Sequence, residues 1–375
     1  MNGIVKAYSE ERLSAREAQA RAEWIAWAPV VFQASRLMVK LGILDLLRDS
    51  NAGMTIAEVA AKTGLSTYAV KVLMEASLSI GTVILVNSEE EARFTLAKTG
   101  WFLLTDAATR VNMDFNHYVN YEGMFHLEEA LKEGRPAGLK HFGDWPTIYE
   151  GLSSLPEQVQ KSWFGFDHFY SDGSFEQALQ VVFGDKEAKR QGDREIRRLL
   201  DVGGNTGRWA LQCVDYDPAV EVTVMDLPQQ LALMRQQTAG KAGADRIDGY
   251  ATDLLNPANP FPTDRHYDAI WMSQFLDCFA EEEIQSILER ASKIMDDTNR
   301  LYIMETLWDR QRYETAAFCL TMTSLYFTAM ANGNSKMMNT DDLTRVIRQA
   351  GLEVETIYDG LGLGHSIIKV KRKSE

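Results

Sequence analysis

Cysteine is scarce in this 375-residue chain: Cys213, Cys278 and Cys319 stand singly and far apart. Three separated thiols build neither a disulfide framework nor a metal cluster, so no metal is expected and a reducing compartment, most simply the cytoplasm, is implied. Long apolar runs are lacking as well. The stretch from Trp24 to Phe32 is broken by Pro29 and falls far short of the ~20 residues that cross a bilayer. No basic, apolar and small-residue series marks a signal peptide, and no membrane partner is expected. Positive charge is the third shortage. Thirty-nine Lys and Arg face 53 Asp and Glu, a net of −14, which weighs against nucleic acid as a partner because phosphate binding needs a basic footprint.

What is present points to a soluble protein of two domains or more, since 375 residues exceed one compact core of ordinary size. The organising stretch is Leu199-Leu200-Asp201-Val202-Gly203-Gly204-Asn205-Thr206-Gly207-Arg208-Trp209. It reads as a buried strand, a glycine turn and a helix start. Glycine reaches dihedrals closed to other residues and lets a ligand approach the main chain, and Asn205 is a residue type that tolerates the left-handed region. A second strand, Val222 to Met225, ends in Asp226, 25 residues after Asp201. An acid at the tip of the second parallel strand is where an adenosine ribose is gripped through its hydroxyls. The dinucleotide pattern G-x-G-x-x-G is not met.

The alternation continues downstream. Ile247–Leu255, Tyr267–Met272, Leu301–Met304, Val354–Tyr358 and Ser366–Val370 read as further strands, the last two joined by the glycine-rich linker Gly360 to Gly364. Short apolar strands separated by helices make an α/β, doubly wound sheet of seven strands. Upstream, Thr55-Ile56-Ala57-Glu58 is a capping box. The first helix is expected over residues 8–28, stopped near Pro29, and a second is expected to carry Leu37, Val39, Leu41, Leu44 and Leu47. Helices followed by two strands, Thr82–Val86 and Arg93–Leu96, give a winged-helix domain over residues 1–108. Residues 109–375 then form the second domain, with an aromatic-rich helical segment at 109–185 and the α/β core at 186–375.

The segment Asp201 to Gly207, with Met225-Asp226-Leu227-Pro228 after it, resembles the S-adenosylmethionine turn of the small-molecule O-methyltransferases of the caffeate and acetylserotonin type. The resemblance implies an S-adenosylmethionine-dependent methyltransferase acting on a small aromatic acceptor. It places the cofactor against Gly203, Asp226, Asp253, Leu254 and Ser273, and assigns Asp167 and His168 to the acceptor pocket. Where the family carries its histidine base, this chain has Asp277, and Glu305, 28 residues on, matches the orienting glutamate. A second family glutamate would fall near Met337 to Thr340 and is missing, and the family's Lys or Arg four residues before the base is Ser273.

Asp277 therefore has two readings. Raised toward neutrality by burial and by Glu305, it is a base; otherwise it is a helix N-cap or a substrate contact. The missing histidine also fits a relative that binds the cofactor without transferring methyl, as some hydroxylase- or decarboxylase-like relatives do. In the resembled family the winged helix is a homodimerisation platform. The other use of a winged helix, DNA binding by a regulator, is opposed by charge: residues 1–108 hold eleven Lys and Arg against twelve Asp and Glu, and Glu89, Glu90 and Glu91 occupy the wing.

Overall fold

Seven strands between Arg198 and Arg372 form one sheet in a computed structural model of the chain, which describes residues 3–87, 91–184 and 195–373. After the short hairpin β1 (Val83–Asn87) and β2 (Arg93–Leu96), the sheet strands are β3 (Arg198–Val202), β4 (Glu221–Asp226), β5 (Ile247–Ala251), β6 (Ala269–Ser273), β7 (Arg300–Glu305), β8 (Leu352–Leu361) and β9 (His365–Arg372). Their spatial order is β5-β4-β3-β6-β7-β9-β8, all parallel except β9, which runs against both neighbours. The chain reverses its direction of winding between β3 and β6. A crevice opens at that point beyond the carboxyl ends of the strands, the usual ligand site of such sheets.

Both faces of the sheet are covered, which is why its strands read as nearly unbroken apolar runs. Leu200, Val202, Ile270 and Met272 belong to one core with Ile284, Ile287 and Leu343, from helices Glu281–Ser292 and Thr340–Gln349. Leu199, Val224 and Trp271 belong to the other, with Trp209, Ala210 and Leu231 from helices Arg208–Tyr216 and Pro228–Thr238. Trp271 is fully buried and stacks on Trp209 at 4.3 Å between ring centroids. Removing ~200 Å² of indole from water at roughly 25 cal/mol per Å² is worth about 5 kcal/mol. That outweighs the ~1–3 kcal/mol for leaving its indole N–H unpaired.

The described residues fall into two compact units, Glu10–Tyr118 and Met1–Ser9 with Val119–Glu375. The short helix Gly3–Tyr8 thus belongs with the second unit, where Tyr8 lies 6.2 Å from Trp308. In the first unit the capping boxes hold: Thr55 and Glu58 exchange hydrogen bonds at the start of helix Ile56–Thr63. Ser14 and Glu17 do the same for helix Ala15–Lys40, a pair the sequence reading passed over.

That helix corrects one expectation, because it runs through Pro29 instead of stopping there. An internal proline costs about 3 kcal/mol. The strong N-terminal box and the Ala-, Glu- and Arg-rich turns before Pro29 offset it. The apolar residues from Leu37 to Leu47 also divide between two helices, split at Gly42, whose φ of 71° ends the first. Ser88, Glu89 and Glu90 of the expected wing lie outside the described residues. No described helix is long and apolar enough to cross a membrane.

Buried Arg290 fixes the loop after β5. Its guanidinium donates to the carbonyls of Leu254 (2.6 Å), Asn259 (2.9 Å), Asn256 (3.2 Å) and Ser286 (3.1 Å). Arg290→Met keeps the stem and strands those carbonyls, so unfolding in urea is expected to show a loss of about 2–4 kcal/mol. A loss near zero would mean that the loop holds its shape by other means.

Candidate active site

The glycine turn is closed by a carboxylate. Asn205 sits in the left-handed region at φ 48°, and its amide N–H donates to Asp226 Oδ2 at 2.8 Å. Leu227 N–H donates to Asp226 Oδ1 at 2.7 Å. Burial pushes the Asp226 carboxyl up while these two amides hold it down. The residue is only partly buried, and each oxygen has a lone pair beyond the one that meets its amide. Gly203 has φ 73°, and a Cβ there would collide with the ring of Phe275. The turn therefore presents bare backbone at the head of helix Arg208–Tyr216. Beneath it, Asp201 is 2% exposed with Oδ2 unpartnered, and burial together with Asp226 raises its carboxyl to about 8.

Asp253 and Leu254 follow β5, across β4 from the turn. Asp253 is exposed and accepts from Leu255 N–H at 2.9 Å, while Leu254 is 8% exposed within the core. Ser273 ends β6 and is half-buried. Gln274, which sequence reasoning missed and for which it offered no signal, has φ 45° and a buried amide oxygen with no partner. A cradle that only glycine fits, a part-open acid and an orphaned acceptor at one crevice fit a cofactor with hydroxyl and ammonium donors.

Asp277 corrects the cap alternative. It lies in the 3-10 turn Leu276–Cys278, and helix Glu281–Ser292 begins after Ala280, whose N–H is held by Glu283 at 2.7 Å. Asp277 caps nothing; it is 5% exposed, and burial pushes its carboxyl up to about 6. Cys278 Sγ donates to its Oδ1 at 3.5 Å. Glu305, 2% exposed at the end of β7, accepts from the amides of Leu276 (2.9 Å) and Phe275 (3.2 Å), leaving Oε2 buried and unpaired. Burial, then the Asp277 charge, holds Glu305 well above the ordinary carboxylate range.

The aromatic-rich segment supplies a third acid. Asp167, on helix Glu157–Ser171, keeps about a third of its side chain accessible. Its carboxyl rises to about 7, through burial first and then the charges of Asp277 and Asp172, against Arg208. His168 Nδ1 is 3.6 Å from Asp167 Oδ2, and burial followed by Arg208 lowers its pKa. Trp163, on the same helix, donates to Tyr326 Oη at 2.7 Å. Tyr149, not singled out from the sequence, has a buried hydroxyl beside Cys278, and burial followed by Cys278, Tyr326 and Asp277 raises its pKa. Met337 and Met338, buried at 7% and 2%, stand where the family's second glutamate would be.

Two family models match this chain: a Dimerisation2-like domain at residues 19–94 and an O-methyltransferase domain at residues 151–353. The second spans more than half of the chain. The chain belongs to the O-methyltransferase domain family. It is thereby an S-adenosylmethionine-dependent methyltransferase. Among its relatives, the L-tyrosine C(3)-methyltransferase of Streptomyces lavendulae is 22% identical over 89% of this chain and 86% of its own. Human acetylserotonin O-methyltransferase is 23% identical over 73% and 76%. The solved structure of the mitomycin 7-O-methyltransferase MmcR superposes with a TM-score of 0.66 at 17% identity, covering 95% of this chain and 98% of the other. At that identity the likeness is one of fold.

The buried acid under the turn gives a pH signature. Asp201 has its folded-state pKa raised, so its contribution is complete below the unfolded value near 4 and is lost as pH rises to about 8. Asp201→Asn keeps the shape and removes the titration. Relative to this variant, the wild type should lose on the order of 4 kcal/mol between pH 4 and 8. Parallel stability curves for the two proteins would refute it.

Proposed function

We propose that the enzyme methylates a small phenolic acceptor, with Asp277 as the base and Glu305 positioning it. The observation that carries this is the placement of Asp277: buried, freed from any capping duty, and brought to about 6 beside the crevice. A base works best with a pKa near the working pH, and an unperturbed aspartate near 4 is too weak. Burial removes most of that mismatch. Glu305 orders the turn that carries Asp277 by accepting from its amides and, keeping its own proton, adds no second charge.

S-adenosylmethionine supplies an electrophilic methyl group on a sulfonium. Gly203 gives its amino-acid end a bare backbone, Asp226 meets the ribose hydroxyls, Asp253 and Leu254 take the adenine, and Ser273 leaves the space a larger cation would fill. Asp167 and His168 line the acceptor side. The relatives' names support a phenol: they act on tyrosine, acetylserotonin and 3-hydroxy-5-methyl-1-naphthoate, at oxygen or at ring carbon. Both outcomes start from loss of a phenolic proton, which either exposes the oxygen or activates the ring. Orientation against the methyl group contributes the larger share of the rate.

The reading includes a homodimer through the N-terminal unit and no nucleic-acid partner. Trp24, Ile25 and Trp27 are 48%, 70% and 60% exposed, an apolar face that a lone domain in water would not keep. Light scattering at micromolar concentration should give twice the chain mass, whereas a monomer would remove the claim.

For the chemistry, Asp277→Asn is expected to cut methyl transfer to a phenol by about 10²–10⁴ while cofactor affinity stays unchanged. Asp226→Ala should do the reverse, weakening cofactor binding by roughly 2–3 kcal/mol in calorimetry. Full turnover in Asp277→Asn would remove Asp277 as the base.

A further inference from the structure

Gln274 combines two unfavourable features. It directly follows β6, and its φ of 45° lies in the left-handed region, where a long side chain is strained. Its side-chain amide oxygen is buried and has no hydrogen-bond partner among the described residues. An acceptor in that position has lost the water it would otherwise meet. Neither feature belongs to a slack loop. The Gln274 N–H donates to the Met304 carbonyl at 2.8 Å, and the next two amides, of Phe275 and Leu276, both donate to Glu305 Oε1.

Among the described residues one other non-glycine has a positive φ, Asn205 in the glycine turn after β3. Strands β3 and β6 pair in parallel, so both strained residues stand beyond the carboxyl ends of neighbouring strands, where the crevice opens. Strain of this kind collects where a fold holds a ligand.

The order of the strands selects the ligand group. A cofactor with its adenine by Asp253, beyond β5, and its ribose on Asp226, at the tip of β4, extends next over β3 and then β6, because the spatial order is β5-β4-β3-β6. The part that reaches β6 is the amino-acid end. Of its two charged groups, only the ammonium donates to an amide oxygen, and a charged donor makes the stronger bond.

We infer that Gln274 is a cofactor-selecting residue whose amide oxygen accepts from the ammonium of S-adenosylmethionine. The choice of the ammonium rests on the cofactor placement proposed above; the strain and the orphaned oxygen stand without it.

The test is calorimetric titration of the full chain with S-adenosylhomocysteine and with 5′-S-(3-carboxypropyl)-5′-thioadenosine, the same molecule with hydrogen in place of the ammonium. The wild type should prefer S-adenosylhomocysteine by about tenfold or more. Gln274→Met, which has no acceptor oxygen, and Gln274→Asn, which withdraws the oxygen by one methylene, should each lose several-fold of that preference. Gln274→Glu keeps an acceptor at the same reach and should hold it. A merely structural role would weaken both molecules together and leave their ratio unchanged. Equal affinities in the wild type, no binding of S-adenosylhomocysteine at millimolar concentration, or an undiminished ratio in Gln274→Met and Gln274→Asn would overturn the inference. Asparagine tolerates the left-handed region, so Gln274→Asn decides alone should Gln274→Met fail to fold. Asp226→Ala, titrated alongside, reports separately on the cofactor placement: it should weaken both molecules alike, and unchanged affinities would remove the ribose contact while Gln274 is still judged by its own ratio.

Discussion

A ring resting on bare backbone ties the two halves of the active site together. Phe275, just after β6, lies against Gly203, just after β3, and no side chain at Gly203 could coexist with it. These two strands are the neighbours between which the winding of the sheet reverses. The contact therefore sits at the crevice that a doubly wound sheet opens by its topology. Everything placed on either loop inherits its position from it. On one side stands the glycine turn with Asp226; on the other, two residues beyond Phe275, stands Asp277.

The polar groups around that contact follow one rule, that a buried acid must find donors or keep its proton. Asp226 finds two backbone amides and remains partly open. Glu305 spends one oxygen on the amides of the Asp277 turn and leaves the other unpaired in the protein. Asp201 finds none for one oxygen and is held protonated beneath the turn. Burial raises the carboxyls of Asp167 and Asp277, and the charge of Asp277 adds to the rise at Asp167. Burial thus raises several acids at one site that holds no histidine at the position of the family's base.

The N-terminal unit obeys different constraints. Its interior is apolar around Met38, Leu44, Val70 and Met74, closed by helix caps at Ser14, Thr55 and Ser66. Its outer face keeps Trp24 and Trp27 in water, which does not stabilise an isolated domain.

Local chemistry alone made much of this legible. The strand-turn-helix around Gly203, the acid at the tip of β4, the seven-strand alternation and the Thr55–Glu58 cap all depend on neighbours within a few residues, where sterics and periodicity act directly. The longer-range features were not accessible in that way. Pro29 reads as a helix stop because its own cost is visible in sequence while the capping box and flanking turns that offset it act across the whole helix. Asp277 reads as a base, or as a cap or substrate contact, and the start of the next helix at Glu281 removes the cap from these. The burial that raises the carboxyls of Asp277, Asp167 and Glu305 arises from groups brought together across the fold. Sequence determined which residues could do the chemistry; packing decided which of them are charged, because solvation is set by the surroundings of a group and not by its neighbours in the chain.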